Sequence, residues 1–527
     1  MCGPEFEADP VSNAKADARM SLAVNRLEPT VRTVAVVTAP PARVPIAAFV
    51  AVVLLGGGLR LAALLLDRCL WIDEAMLALN LVTRTPRGLL DPLDYNQGAP
   101  VGFLLAVKGA ISAFGASEWA LRLVPFAASV FGLIAFAWTA RRLLPPHAAL
   151  LAGALFAFSP HLVSYAGECK QYACDAAVAA GLLAVAVGLL EGKGGRRWLL
   201  LALAGAAAVW CSHPAAFVLG GIGTALLLST AVERDRARFL AAGFTVACWL
   251  VSFGACYLIC LKNLGGNKYL ADYWAGHFLA LPPKSIGDIT WLVDHLIYFF
   301  TIPGGFGGSL VPLGGFAALL ALVGLREFAR ERWPVAVALA LPAAFVLLAS
   351  ALHKYPIGGR LMLFMVPFAV LLVARGAWVV LDAVREKNRF AAGALVVLLV
   401  GAPLWESVDA LRKPPRHEEL APVLRTVRGE LQPGDRVFVY YGAVPAFTFY
   451  IREQPLSAEA VTLGEEHRGD PAAYRAELAK LHGRVWVVVS HRHADEEAIM
   501  RATLDARGVC EREVKRPGAA AYLYKLE

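Results

Sequence analysis

The sequence predicts a mainly α, polytopic membrane protein with about eleven transmembrane helices, one interfacial helix and a small C-terminal extracytoplasmic α/β domain. Three observations carry this. Of 527 residues, 58% are hydrophobic and 17% charged, too little polar surface for a chain that faces water on every side. Apolar stretches of bilayer-spanning length, roughly 17–25 residues, recur from Val44 to Leu404. Beyond Trp405 the charge rises, and short β-rich runs alternate with helical ones.

The spanning segments fall near 44–66, 119–140, 147–164, 172–190, 198–212, 215–232, 239–261, 309–325, 334–352, 361–381 and 390–405. Segment 100–116, PVGFLLAVKGAISAFGA, is apolar enough to be another. Charge decides against it. With that segment left out, five basic clusters share one side with the Arg-containing N-terminal tail. They are Arg141-Arg142, Lys193/Arg196/Arg197, Arg234/Arg236/Arg238, Arg326/Arg330/Arg332 and Arg385/Lys387/Arg389. The positive-inside rule makes that side cytoplasmic. Segment 100–116 is therefore expected to lie in the outer interface, with Lys108 reaching to water.

The chain then divides into a flexible cytoplasmic tail, 1–43, a membrane domain, 44–405, and an extracytoplasmic α/β domain, 406–527. Outer loops are expected at 67–118, 165–171, 262–308 and 353–360. The tail lacks a signal-peptide pattern, and Met20 is an alternative start. The expected location is the inner (plasma) membrane, with the N-terminus cytoplasmic and the C-terminal domain outside.

The net charge of +8 reports topology, since no basic run is interleaved with aromatics, and nucleic acid is not an expected partner. The nine cysteines are odd in number and lack zinc-ribbon spacing, so they read as small buried hydrophobes. Cys69 and Cys510 are left open as partners for another exported cysteine. The tail has the strand-like runs 435–441, 483–490 and 519–526 and an amphipathic stretch 494–507, with Pro414-Pro415 as linker. Without G-x-G-x-x-G a dinucleotide site is not expected. His491-Arg-His493 reads as solvated surface. Ile302–Gly308, rich in glycine, reads as a hinge.

The candidate chemistry sits in the outer loops. Asp73-Glu74 lies one membrane exit after the first span, followed by a polar turn at 91–100 that includes Tyr95 and Asn96. A second cluster, Ser164 to Tyr172, holds Glu168 and Lys170, with Asp175 a turn further on. One carboxylate on this face serves to accept a proton from an attacking hydroxyl or amine. Another serves to orient the acceptor or to share a divalent ion, with Asp73 and Glu168 as the candidate ligands. Lys170, Lys354 and Arg360 are placed to steady an anionic leaving group such as a phosphate. Gly358-Gly359 permits close backbone approach, though a simple turn explains it equally. His213-Pro214 is either a helix-breaking corner or part of the site. Tyr269, Asp272, Tyr273 and Trp274 are candidate pocket residues, or aromatics of the kind any membrane interface holds.

Trp71-Ile-Asp73-Glu74-Ala75 resembles the first-loop acidic motif of the GT-C glycosyltransferases. So do the helix opened by Gly98-Ala99-Pro100, Glu118-Trp-Ala-Leu-Arg122, and Glu168-x-Lys170-x-Tyr172. The resemblance is to protein O-mannosyltransferases and lipid A aminoarabinose transferases (glycosyltransferase family 39-like). It covers roughly 44–380 and is strongest over 70–175. It implies a polyprenyl-phosphate-linked sugar donor and transfer, on the extracytoplasmic face, to a lipid, glycan or protein acceptor. Asp73 then takes the place of the general base, Glu74 of its positioning neighbour, and Glu168 of the second-loop acid that sometimes binds a divalent ion. Lys170, Tyr172, Lys354 and Arg360 are expected to hold the donor phosphate. Two positions depart from the pattern: Gly98-Ala99-Pro100 lacks the usual first-loop base, and Lys170 stands where arginine is common. The rival readings are a secondary transporter or flippase, whose ionisable groups would sit near the midplane, and an inactive lipid-binding relative.

Overall fold

The computed structural model describes residues 1, 44–66, 68–307, 312–414 and 418–527, and over these the eleven predicted spans fall on helices, residues 309–311 of the eighth lying outside the described residues. The predicted tail, apart from Met1, lies outside the described residues, as do Gly308 of the hinge and Pro415 of the linker. Among the described residues, 8 helices are long and apolar enough to cross a membrane. The pair Pro146–Ala157 and Pro160–Gly167, bent by 51°, passes the same test only when its two helices are taken together. The remaining two predicted spans are Arg197–Cys211, of 15 residues, and Gly314–Glu331, which carries its charges in the last turns.

The bend follows from Pro160, which has no N–H and breaks the helical ladder. Arg60, wholly buried, takes up the freed carbonyls: Nη1 donates to Ala157 O at 2.8 Å and Nη2 to Phe156 O at 3.2 Å. Its Nε donates to Ser129 Oγ at 2.9 Å. An ionisable residue inside a span is thereby satisfied by backbone that has no water to turn to. Elsewhere the bundle closes by removing side chains. A Cβ on Gly376 would lie 1.9 Å from Leu320 O, and one on Gly324 1.9 Å from Leu372 O. Gly376→Ala is expected to cost about 1–3 kcal/mol by overpacking, read as a lowered unfolding temperature in detergent.

Segment 100–116 forms the helix Val101–Phe114. Its 14 residues reach about 21 Å, short of a hydrocarbon core about 30 Å thick. Lys108 corrects the sequence reading: instead of reaching to water, its Nζ donates to Leu81 O at 2.7 Å and ties the helix to the first outer loop.

Four of the five basic clusters meet at one end of the bundle. Arg142 pairs with Glu191, Arg332 Nη1 donates to Arg142 O at 3.2 Å, and Arg238 Nη2 donates to Leu189 O at 3.2 Å. The helix Glu118–Leu143 runs from the acidic loops at its start to this basic end. The two features that sequence reasoning put on opposite faces are separated by the length of a 26-residue helix.

The last membrane helix runs Arg389–Arg412. The tail that follows builds a five-stranded sheet, β1 Arg436–Val439, β2 Val461–Leu463, β3 Gly483–Ser490, β4 Gly508–Arg516 and β5 Ala519–Leu526, in the order β2-β1-β3-β5-β4. β2, β1 and β3 are parallel, and β5 and β4 are antiparallel additions. Alternation sorts β3 onto two faces. Val485, Val487 and Val489 pack with Tyr474, Leu478, Met500 and Leu504. Trp486 and Val488 pack on the other side with Leu420, Val423 and Phe447, and that core is continuous with Leu70, Ala75 and Leu77. Leu70 N–H donates to Tyr450 Oη at 2.7 Å, and Arg452 Nη2 to Ala116 O at 3.1 Å. The tail domain is thus seated on the first outer loop.

Candidate active site

Asp73 and Glu74 occupy the first turn of the helix Ile72–Thr83, where the positive end of the helix dipole favours acids. Adjacent helical residues point about 100° apart, so the pair cannot share a role. Glu74 turns inward and is buried. Arg122 Nε donates to its Oε1 at 3.0 Å and Nη2 to its Oε2 at 2.8 Å, while Cys169 N–H donates to Oε1 at 2.7 Å. Arg122 also donates to Arg68 O and Cys69 O. Glu74, expected beside Asp73 as its positioning neighbour, joins the first loop, the Glu118–Leu143 helix and the second loop, and is not on the cavity wall.

Asp73 turns the other way, onto the wall of a cavity of about 1820 Å³. That exceeds the roughly 300–1,000 Å³ of a small-molecule pocket. Arg360 Nη2 lies 2.6 Å from Asp73 Oδ2, and Lys170 Nζ lies 3.8 Å from the same oxygen. Arg360 is held between the rings of Trp71 and Tyr172, 5.6 Å and 5.4 Å from their centroids. Lys170 Nζ also donates to Gln97 Oε1 at 2.8 Å. Burial opposes ionisation of Asp73, but Lys170 and Arg360 outweigh it and hold the carboxyl below its ordinary range. It is a carboxylate at neutral pH.

Of the other predicted residues, Lys354, Tyr172, Tyr95, Asn96, His213 and Tyr269 all line this cavity. Tyr95 and Asn96 have φ of 60° and 53°, a left-handed turn unusual outside glycine, and Asn96 Oδ1 accepts from Asn267 Nδ2 at 2.9 Å. Burial pushes His213 down to about 4, so it presents a neutral imidazole. Asp272 is not on that wall, although its neighbours Tyr269, Leu270, Ala271 and Tyr273 are.

Glu168 is also off the cavity wall. Its Oε2 is buried without a hydrogen-bond partner. Burial first, then the charge of Glu74, pushes its carboxyl up to about 7, against the opposing pull of Arg68, Arg122 and Arg360. The folded chain therefore keeps a proton that the unfolded chain releases between pH 4.5 and 7, and stability falls as pH rises through that window. Glu168→Gln is expected to raise the unfolding temperature at pH 8 and to leave it nearly unchanged at pH 4.5. The gain is at most about 3 kcal/mol, checked by thermal unfolding at the two pH values. As metal ligands the pair is a poor fit, since Asp73 already faces two cations and Glu168 is off the wall. Among the described residues no three His, Cys, Asp or Glu side chains gather to hold an ion.

Sequence reasoning missed one wall of the cavity. Glu466, Arg468, His491 and His493 of the tail domain all line it, so His491-Arg-His493 is not merely solvated surface. The signal available was the strand–helix alternation, because ligands of open α/β sheets sit beyond the carboxyl ends of the parallel strands. The eight described cysteines are all free thiols, and Cys69 Sγ lies 3.7 Å from Glu419 Oε2.

Residues 98–257 match a sequence family described as dolichyl-phosphate-mannose-protein mannosyltransferase. No curated protein matches the chain significantly by sequence. Among solved structures, ArnT from Cupriavidus metallidurans bound to undecaprenyl phosphate is 14% identical with a TM-score of 0.55, covering 91% of this chain and 97% of that one. The Archaeoglobus fulgidus oligosaccharyltransferase in complex with Zn and sulfate is 14% identical with a TM-score of 0.53, covering 90% and 72%. The fold is therefore the one that ArnT and the Archaeoglobus fulgidus oligosaccharyltransferase adopt, a polytopic helical membrane bundle with a small C-terminal sheet. Within that class it is similar to the protein mannosyltransferases by sequence and to ArnT by structure.

Proposed function

We propose that the chain transfers a sugar from a polyprenyl-phosphate-linked donor to an acceptor lipid, glycan or protein on the extracytoplasmic face of the plasma membrane, with Asp73 as general base. The observation that carries this reading is the Asp73 carboxylate set against Arg360 and Lys170 on the wall of one large cavity. The undecaprenyl phosphate bound to ArnT, a protein of the same fold, supports a lipid-phosphate donor. The basic loops lie at the far end of the bundle, and by the positive-inside rule this supports an outward-facing cavity.

In this reading the acceptor oxygen forms a bond to the anomeric carbon while its proton passes to Asp73. The bond from that carbon to the phosphate oxygen breaks, and the electron pair leaves with polyprenyl phosphate. Arg360 offers the phosphate two parallel donors, and Lys170 and Lys354 add point charges. An Asp73 held low by two cations is a weak base. Donor phosphate would draw Arg360 and Lys170 onto itself and let the Asp73 carboxyl rise towards its ordinary value. Base strength is thereby coupled to donor arrival. In-line displacement inverts the anomeric centre, which analysis of the product linkage checks.

Binding of undecaprenyl phosphate to the purified chain tests the donor assignment. Loss of a charge-assisted hydrogen bond costs about 1.5–3 kcal/mol, so Arg360→Ala is expected to weaken binding roughly 10–100-fold. Arg360→Lys should fall between, keeping charge without the fork. Unchanged affinity in Arg360→Ala would remove the donor assignment.

A further inference from the structure

The cavity has two ends of different electrostatic character. At the membrane end, Lys170 and Arg360 converge on Asp73, in a cavity whose wall also holds Lys354, Asp175 and Asp294. At the outer end, the loops that follow β2 and β3 contribute Glu466, Arg468, His491 and His493. Here Arg468 and His491 each face a carboxylate. Arg468 Nε lies 3.2 Å from Glu466 Oε1, and His491 Nδ1 lies 2.7 Å from Oε1 of the buried Glu418. Burial and the adjacent Arg468 push His493 below its ordinary range, so it is neutral.

The same side chains are fixed in orientation. Arg468 Nε donates to Tyr441 Oη at 2.8 Å, and Nη2 meets His493 Nε2 at 2.7 Å. The His491 and His493 rings are 5.1 Å apart. Glu418 occupies His491 Nδ1, which leaves the other ring nitrogen free for a ligand. His491 and Ala494 are held at φ of 49° and 42°, a strained loop of the kind that persists where surrounding structure enforces it. Tyr269, from the 262–308 loop, lines the same cavity with an exposed ring and lies in the field of Arg468. His491 in turn acts on Asp73, so the two ends adjoin.

We propose that this carboxyl edge of the tail sheet is the acceptor subsite, and that it takes an uncharged, hydroxyl-rich sugar in preference to an anionic acceptor. The inference rests on the donor-and-base reading above and narrows its acceptor to a glycan. Paired planar groups that alternate donors and acceptors match the hydroxyls of a sugar ring, and an aromatic face covers its C–H surface. An acceptor bearing a phosphate or carboxylate would find no uncompensated cation at this end. It would be drawn instead to Arg360 and Lys170, in competition with the donor.

Saturation-transfer NMR on the purified full chain tests this with two sets of probes. The neutral set is methyl β-galactopyranoside, methyl α-mannopyranoside and maltose; the anionic set is glycerol 3-phosphate and glucuronate. Signal is expected for at least one neutral sugar, reduced fivefold or more in the double variant Arg468→Ala/His493→Ala, with weaker signal for both anions. No neutral-sugar signal, an anionic preference, or a signal indifferent to the double variant would each overturn the proposal. Undecaprenyl phosphate binding by the same double variant serves as the folding control and is expected to match the native chain. If the native chain fails to bind that lipid while the sugar signal stands, the donor reading fails and the sugar subsite survives.

Discussion

Glu74→Ala is expected to leave little folded protein. Arg122, its partner, is 1% exposed and directs both arms of its fork at the two Glu74 oxygens. Removing the carboxylate strands a buried guanidinium and the Cys169 amide together. Breaking one side of a buried ion pair costs about 3–5 kcal/mol, a large share of the 5–15 kcal/mol that holds a typical domain. The loss should appear as low monodisperse yield in detergent and a lowered unfolding temperature. Glu74→Gln, which retains an acceptor without the charge, should lie between. Native yield and native unfolding temperature in Glu74→Ala would contradict the anchoring role.

Asp73→Asn is expected to do the opposite. Lys170 keeps Gln97 as partner, and Arg360 keeps its two flanking rings, so the fold loses at most about 1–3 kcal/mol. Sugar transfer should fall by about 10²–10⁴, the usual contribution of a positioned general base. The loss should sit in kcat, because the cations that hold the donor remain. A fall confined to KM would make Asp73 a binding group instead. The two neighbours thus separate into one whose loss is read in stability and one whose loss is read in rate.

That separation marks how much was legible. The helical period says that Asp73 and Glu74 diverge, but it does not say which of them faces inward. That depends on Arg122, 48 positions along the chain from Glu74. The meeting of Asp73, Lys170 and Arg360 was legible in outline, because hydropathy and charge alone put their three loops on one face. The exclusion of Glu168 and Asp272 from the cavity was not, since side-chain direction within an irregular loop is set by packing. The tail wall was hidden for a further reason. β2 is a three-residue strand with no pattern of its own, and His491 and His493 become a site only when β2, β1 and β3 lie side by side. The hydrogen bond from Lys108 to the Leu81 carbonyl was not legible either, because that partner is supplied by tertiary structure.

The most direct test of the central claim is transfer of labelled sugar from a polyprenyl-phosphate donor pool, in detergent and without a membrane gradient, by equal amounts of folded native chain and Asp73→Asn. The account predicts transfer by the native chain and a loss of at least about 100-fold in the variant. Equal transfer by both would contradict Asp73 as the base, and no transfer by the native chain from that pool would contradict the polyprenyl-phosphate reading itself.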